Sequence, residues 1–364
     1  MNDLIKMSNR YISRGSDSNE PSRFLAQKVV LEEEVGEING GLSDSVNLKT
    51  IFYPDKNRTI LTRNQSPDIG FGTSINPYKG CEHGCVYCFA RPTHAYLDLS
   101  PGIDFETRIF YKTNAAELLR KELDKKSYVC TPIAMGTNTD PYQPGEKSLE
   151  VTRQLLTVLL ERRHPVTIVT KSTLIERDLD ILADLAAQNL VSVNISITTL
   201  SKTLKNQLEP RTASPQARLR LVEKISAKEV PIGVLVAPII PFINDQEIED
   251  IVSQCSNAGA QSCSGILLRL PLEVKDLFEE WLQRYYPLKR DRVMSAIRNM
   301  RGGKENDPRW FSRMRGEGPI ATMIWARFAG ALKKAGIFDQ ESPKLDCSQF
   351  VGRGSHGSRQ LSLI

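Results

Sequence analysis

Three cysteines fall within eight residues in the run Gly80-Cys81-Glu82-His83-Gly84-Cys85-Val86-Tyr87-Cys88. Gly80 and Gly84 allow a backbone tight enough to aim all three sulfurs at one point. Thiolate sulfur is the ligand that iron–sulfur clusters take. Three thiolates leave one iron of a cubane without a protein ligand, and that open corner suits catalysis better than electron storage. Two other readings stand beside this one: a zinc site completed by His83 or His94, and three unrelated buried thiols. Structural zinc tends to draw its four ligands from two separated knuckles, and the chain offers one group only.

Two further stretches have chemical content. Asp140-Pro141-Tyr142-Gln143-Pro144-Gly145-Glu146 is a polar loop stiffened by two prolines. Loops of this kind carry function when a rigid scaffold presents them, although Asp-Pro also stabilises plain turns. Residues 284–315 hold ten Lys and Arg against Asp291, Glu305 and Asp307, with Trp310-Phe311 and Gly302-Gly303 among them. Such a segment could grip a phosphate backbone and stack a base. It could equally be a solvated helical face. Arg269 is a further candidate for the same surface.

These residues need a frame. Apolar runs at Thr73–Pro77, Pro132–Gly136, Val166–Thr170, Val191–Thr198, Pro231–Ala237 and Ile266–Leu270 read as strands. Helical spacing of Leu, Ala and Ile fills Ala115–Lys125, Ser148–Arg162, Ile175–Gln188, Pro215–Ala227, Asp245–Ala258 and Val274–Arg284. Alternating strand and helix implies parallel strands joined by right-handed crossovers. Six units are too few for a closed eight-stranded barrel. The expected fold is therefore α/β, an open partial (β/α)6 parallel barrel with an N-terminal arm and a C-terminal helical extension. The expected divisions are a polar arm over 1–50, a core over 51–286, a basic helical extension over 287–340 and a mobile tail over 341–364. The cysteines then lie on the loop after the first strand.

Cys-x-x-x-Cys-x-aromatic-Cys in that position resembles the signature of the radical S-adenosylmethionine (radical SAM) superfamily. The resemblance implies a [4Fe–4S] cluster on Cys81, Cys85 and Cys88. S-adenosyl-L-methionine would be bound at its open iron and cleaved reductively to a 5′-deoxyadenosyl radical. An electron donor such as flavodoxin or ferredoxin would supply the electron. Gly136 to Pro141, Val169-Thr170-Lys171 and Val193-Asn194-Ile195-Ser196 resemble the spore photoproduct lyase branch, a group of DNA-repair enzymes. Ser66 to Phe71, Glu209-Pro210-Arg211 and Leu268-Arg269-Leu270-Pro271 resemble an uncharacterised bacterial family within it.

The resemblance implies that Thr139 and Lys171 contact the methionyl end of the cofactor and that Ser196 holds its ribose or carboxylate. Tyr87 would lie beside the adenine, and Asp140 or Glu146 would accept the amino group. A lysine at a strand end can pair with a carboxylate, and a serine inside an apolar strand needs a partner. The lyases carry a cysteine hydrogen donor where Thr137 stands here, and a tyrosine where Phe89 stands. Cys130 is the substitute donor to test, and Tyr142 the possible radical relay. The substrate class expected is nucleic acid, with a small molecule or peptide as the alternative.

The composition bounds the rest. The 364 residues are 40% hydrophobic and a quarter charged, with a net charge of +5, which suits one large core and argues against gross disorder. No run reaches the length of a membrane span, so no membrane partner is expected. Met1 to Lys6 lacks the apolar core of a signal peptide. A reducing cytoplasmic location follows as the expectation, in which seven cysteines serve better as ligands or buried thiols than as disulfides.

Overall fold

The computed structural model describes residues 10–11, 13–25, 45–338 and 344–352. Six parallel strands form its centre: β1 (Thr73–Ile75), β2 (Ile133–Met135), β3 (Val166–Thr170), β4 (Val191–Ser196), β5 (Ile232–Ile239) and β6 (Ser262–Leu267). They are hydrogen-bonded in chain order, and Leu61–Arg63 pairs antiparallel with β1 at one edge. Val166 stands between Ile133 and Val191 in register, and Ile168 between Met135 and Val193. All six of these side chains are buried. Helices cover the outer face, so the strands need apolar residues on both faces, as parallel sheets generally do.

The crossover helices are α1 (Ala115–Leu123), α2 (Val151–Glu161), α3 (Leu179–Ala186), α4 (Pro215–Ser226) and α5 (Ile248–Asn257). Local chemistry fixes their ends. Ser214 accepts a hydrogen bond from the Ala217 N–H at 3.2 Å, and Pro215 occupies the first helical position. In α1, Ala115, Leu119 and Leu123 recur every four residues and are buried.

Three more helices follow the barrel: α6 (Val274–Tyr285), α7 (Arg290–Asn299) and α8 (Gly318–Lys334). Phe278, Trp281, Val293 and Ile297 from α6 and α7 pack with Val86 and Tyr87 of the cysteine loop in a second core. The expected division at residue 286 therefore runs through a shared core. Helix α8 lies against β6, where a Cβ on Gly265 would meet the Trp325 ring at 3.1 Å.

Two expectations are corrected. The sixth strand is Ser262–Leu267, not Ile266–Leu270, because Ser-Cys-Ser-Gly reads as a turn yet pairs with Gly233–Val236 of β5. Within the expected mobile tail, Asp346 N–H donates to the Asn189 carbonyl at 3.0 Å and Val351 N–H to the Arg162 carbonyl at 2.9 Å, so residues 344–352 are docked on the barrel. The remainder of that tail, and residues 26–44 of the arm, lie outside the described residues. A small sheet of Ile51–Asp55, Arg108–Lys112 and Tyr78–Lys79 was not legible and braces the cysteine loop. Among the described residues no helix is long and apolar enough to cross a membrane.

Two histidines are buried at the joints of this frame. His164 accepts from the Tyr128 hydroxyl at Nε2 (2.7 Å), its Nδ1 lies 3.0 Å from the Pro165 carbonyl, and Phe350 of the docked tail packs on its ring. His94 donates from Nε2 to the Arg108 carbonyl at 2.9 Å, edge-on to Phe105. Burial lowers both from 6.5 to about 4. As pH falls, the unfolded chain takes up these protons before the folded one. Their contribution is thus complete above pH 6.5 and is lost as pH falls toward 4, by up to ~3 kcal/mol each. The urea midpoint of the apo protein is expected to fall across this window, and His164→Gln to flatten the slope. An unchanged slope in that variant would remove His164 from the account.

Candidate cluster and cofactor site

The cysteine loop is held from beneath by a buried ion pair. Arg91 donates from Nε to the Cys85 carbonyl at 2.9 Å and from Nη1 to the Pro101 and Gly102 carbonyls at 3.1 and 2.9 Å. Its Nη2 pairs with Glu106, and both side chains are fully buried. Glu106 also accepts from the Gly15 and Ser16 N–H groups, each at 2.9 Å. The N-terminal arm is thus threaded under the loop. A Cβ on Gly15 would lie 1.6 Å from the Gly84 carbonyl oxygen, so only glycine fits there.

Glu82 ties the top of the loop to three distant segments. It accepts from Thr50 Oγ1 at 2.7 Å, from Arg211 at 3.0 Å and from the Gly145 N–H at 2.7 Å. Its own N–H donates to Gln143 Oε1 at 2.9 Å. Thr139 Oγ1 donates to the Gly80 carbonyl at 2.6 Å. Nothing in the local sequence marks Glu106 or Glu82 as loop braces, because Gly15, Ser16, Thr50, Gly145 and Arg211 are far from them in the chain.

Held this way, Cys81, Cys85 and Cys88 line one cavity of about 480 Å³, open mouth included, at the carboxyl ends of the strands. Thr137, Asn138, Thr139 and Asp140 after β2, Lys171 after β3, and Ser196 at the end of β4 line it too. Of the expected residues, the fold therefore gathers Cys81, Cys85, Cys88, Thr139, Asp140, Lys171 and Ser196 around one space. In the metal-free chain burial pushes the Cys85 thiol up to about 12, and burial raises Cys81 as well, with Asp140 adding to it. Bound iron would invert that balance, since a metal displaces the proton of a coordinating thiol and that proton is released. Among the described residues no three His, Cys, Asp or Glu side chains converge tightly enough for a single ion. A cubane spreads its ligands over three irons, so three thiols lining one open cavity without a tight convergence fit a cluster better than zinc.

The carboxylates here are ionised and occupied. Asp140 accepts from Thr170 Oγ1 at 2.6 Å and from the Lys171 and Tyr142 N–H groups, each at 2.9 Å, and lies 3.2 Å from His83 Nδ1. Burial alone would raise it; His83 and these donors outweigh burial and hold it at about 2. Asp140 thus clasps the loops after β2 and β3. Glu209 is fully buried and accepts from Thr198, Tyr87 and Arg218, which against burial keep it at about 2. Lys171 is half-buried, with its ammonium 5.9 Å from the Tyr87 ring centre. Burial pulls its pKa down, but Cys85 and Glu209 more than offset this and hold it above the ordinary value.

Four expected residues stand elsewhere. Tyr87 does not line the cavity; its ring is in the second core and its hydroxyl meets Glu209 and Thr198. Glu146 is fully buried beneath the loop, accepting from Tyr78, from the Thr152 N–H at 3.0 Å and from Arg177 at 2.7 Å. It cannot accept a ligand's amino group there. Tyr142 is fully buried in the main core. Cys130 precedes β2, at the opposite end of the barrel, close enough to Cys347 of the docked tail to hydrogen-bond with it. Strand polarity, which puts active sites at carboxyl ends, argues against Cys130 on its own.

The basic segment is also corrected. Arg284, Arg290, Arg298, Arg309 and Arg313 sit in ion pairs with Asp17, Glu279, Glu305, Asp307 and Asp68. Arg301 is buried, donating to the Ser312, Arg313 and Leu268 carbonyls at 2.8 Å. Five of the ten cations are thus paired with carboxylates, and Arg301 is engaged by carbonyls.

Residues 75–255 match the radical SAM superfamily. An uncharacterised protein of Mycobacterium tuberculosis is 40% identical over 221 residues, which is 60% of this chain and 65% of that protein. The chain therefore matches less than two thirds of the length of this relative. An uncharacterised protein of Methanocaldococcus jannaschii is 27% identical over 173 residues, 48% of this chain and 62% of that one. Among solved structures, a spore photoproduct lyase variant aligns with a TM-score of 0.54 at 15% identity, covering 79% of this chain and 80% of that one. That likeness shows the partial-barrel fold alone. The chain belongs to the radical SAM superfamily, whose cofactors are a [4Fe–4S] cluster and S-adenosylmethionine.

Glu106→Gln keeps the shape of the buried pair and removes its charge. It is expected to destabilise the chain by about 3 kcal/mol and to lower iron loading on reconstitution. Urea unfolding and iron per chain would read this, and wild-type iron content would show that the pair does not set the loop.

Proposed function

We propose that this chain is an enzyme that cleaves S-adenosylmethionine reductively on a cluster held by Cys81, Cys85 and Cys88, and that it acts on nucleic acid. Bound cluster and cofactor supply the one-electron chemistry; the protein binds, orients and keeps water out. The Lys171 ammonium, kept charged by Cys85 and Glu209, suits a carboxylate such as the methionyl one. The Ser196 hydroxyl, at the end of the neighbouring strand β4, suits the ribose or carboxylate. Thr139 and Asp140 work indirectly, since their oxygens are engaged with Gly80, Thr170 and Lys171. Tyr87 acts as a positioning residue, through the carboxylate of Glu209 that flanks Lys171.

One observation carries the substrate class. Large aromatic rings stand exposed at Phe89, which lines the cavity, and at Trp310 and Phe311. Phe311 is the centre of a tight turn with φ 65° and ψ −49°, closed by the Ser312 N–H donating to the Trp310 carbonyl at 2.8 Å. That conformation is rare and strained for a bulky residue, and Met314 of the same segment touches Arg269. Exposed rings beside arginine suit stacked bases in a single strand or an extruded nucleotide. The ion pairing of the basic segment favours the second reading, a small molecule or peptide.

The deciding assay uses anaerobically reconstituted, dithionite-reduced protein with S-adenosylmethionine, and measures 5′-deoxyadenosine with and without damaged or modified oligonucleotides. Formation that rises with an oligonucleotide is expected, with none from Cys85→Ala. Slow formation indifferent to every oligonucleotide would overturn the nucleic-acid reading. No formation from a fully loaded cluster would overturn the enzyme itself. Lys171→Met is expected to weaken S-adenosylmethionine binding ~10-fold or more with iron content intact; unchanged affinity in equilibrium dialysis removes Lys171 from the site.

A further inference from the structure

The arginines drawn inside this molecule are matched with oxygen acceptors, with one exception. Arg91 has Glu106 and three carbonyls, Arg218 has Glu209 and the Ser196 carbonyl, and Arg301 has carbonyls alone. Arg269, two residues beyond β6 and half-buried, has no oxygen acceptor among the described residues. Its Nε is buried and unpartnered, and its one side-chain hydrogen bond is from Nη1 to the Met314 sulfur at 3.7 Å. A thioether is a weak acceptor. Asp68 comes near, but it is held by Arg313 through two bonds of 2.6 and 2.7 Å and by the Phe311 N–H at 3.0 Å. A guanidinium removed from water without an acceptor is costly.

The position of that charge gives it a use. The Arg269 guanidinium carbon lies 5.6 Å from the centre of the Phe89 ring. Phe89 follows the third cluster cysteine, lines the cavity and is half exposed. A flat ring at the cavity wall and, against it, a guanidinium whose only recorded side-chain acceptor is a thioether match the two halves of a nucleotide.

We infer that Phe89 and Arg269 form a nucleotide subsite at the mouth of the cavity, in which the ring stacks a base and the guanidinium binds a phosphate oxygen. This rests on the proposed nucleic-acid reading and specifies the group recognised. Phosphate is the anion that a guanidinium fork fits in two-point geometry. The nucleotide could belong to a strand or be free, and the test separates these sources.

The test measures binding rather than turnover, with full-length reconstituted protein under anaerobic conditions. Anisotropy of a labelled single-stranded oligonucleotide is recorded from low to moderate salt, with a labelled nucleoside 5′-monophosphate as a second probe. Arg269→Gln is expected to weaken oligonucleotide binding ~10-fold and to reduce the slope of log affinity against log salt by ~0.7, the value of one single-strand phosphate contact. Phe89→Leu is expected to weaken binding without changing that slope. Arg269→Lys keeps the charge and loses the fork, so it should hold the slope and lose affinity; it serves if Arg269→Gln does not fold. Iron content and S-adenosylmethionine affinity should stay at wild-type values in the Arg269 variants. Oligonucleotide binding that Arg269→Gln leaves unchanged overturns the subsite while keeping the nucleic-acid reading. Arg269-dependent binding of the mononucleotide alone supports the subsite and overturns the strand. No binding of either probe by the wild type overturns both. A loss confined to S-adenosylmethionine affinity would reassign Arg269 to the cofactor carboxylate and overturn the subsite.

Discussion

A guanidinium with no route to water governs the geometry of this site. Arg91 must find acceptors inside the protein, and those it finds are the Cys85 carbonyl, the Pro101 and Gly102 carbonyls and the carboxylate of Glu106. Glu106 in turn must find donors, and two come from Gly15 and Ser16 of the arm. A buried pair of this kind adds little net stability, since desolvation offsets most of the attraction. Its consequence is exclusivity: any other path for the cysteine loop or the arm would leave one of these charges unmatched. The loop that must present three sulfurs together is thereby confined to one conformation before any iron arrives.

The same logic extends upward into the cavity. Asp140 and Glu209 stay ionised in spite of burial because His83, Thr170 and Lys171 surround one, and Arg218, Lys171, Thr198 and Tyr87 surround the other. Both keep the Lys171 ammonium charged beside Cys85. The walls can therefore offer a fixed cation to a ligand carboxylate without reorganising, which is where an enclosed site gains over water. The Cys81 and Cys85 thiols pull the other way. Burial raises both, so they ionise when a positive centre takes the place of their protons. Cluster assembly and local electrostatics are thus one event in this loop.

The cysteine spacing and the order of strands and helices were legible in the sequence, because both are local. The alternation that marks Val166–Thr170 and Val191–Ser196 needs only a short window, and so does Cys81 to Cys88. What could not be read is whatever depends on distant partners. Glu146 and Asp140 look alike in one polar loop, yet one is beneath the floor with Arg177 and Tyr78, and the other faces the cavity. The sixth strand was displaced because Leu268 and Leu270 are apolar on account of the second core, not of the sheet. Cys130 was attractive as a thiol near β2, but the direction of that strand carries it to the far end of the barrel.

Charge shows the same divide. Counted along the chain, residues 284–315 are strongly basic. Counted in space, their carboxylate partners include Asp17, Asp68 and Glu279, all from outside that segment. Arg269 was by contrast a single added candidate, one cation in Leu268-Arg269-Leu270-Pro271. Folding reverses the ranking. The segment rich in arginine is largely satisfied by the protein itself, whereas the isolated arginine lacks an oxygen acceptor among the described residues and lies against a ring that lines the cavity. Recognition follows unsatisfied charge rather than total charge, because a cation already paired must break one bond to make another. On that ground the proposed subsite at the mouth of the barrel, and not the basic helices beside it, is the better match for an anionic group of the proposed substrate.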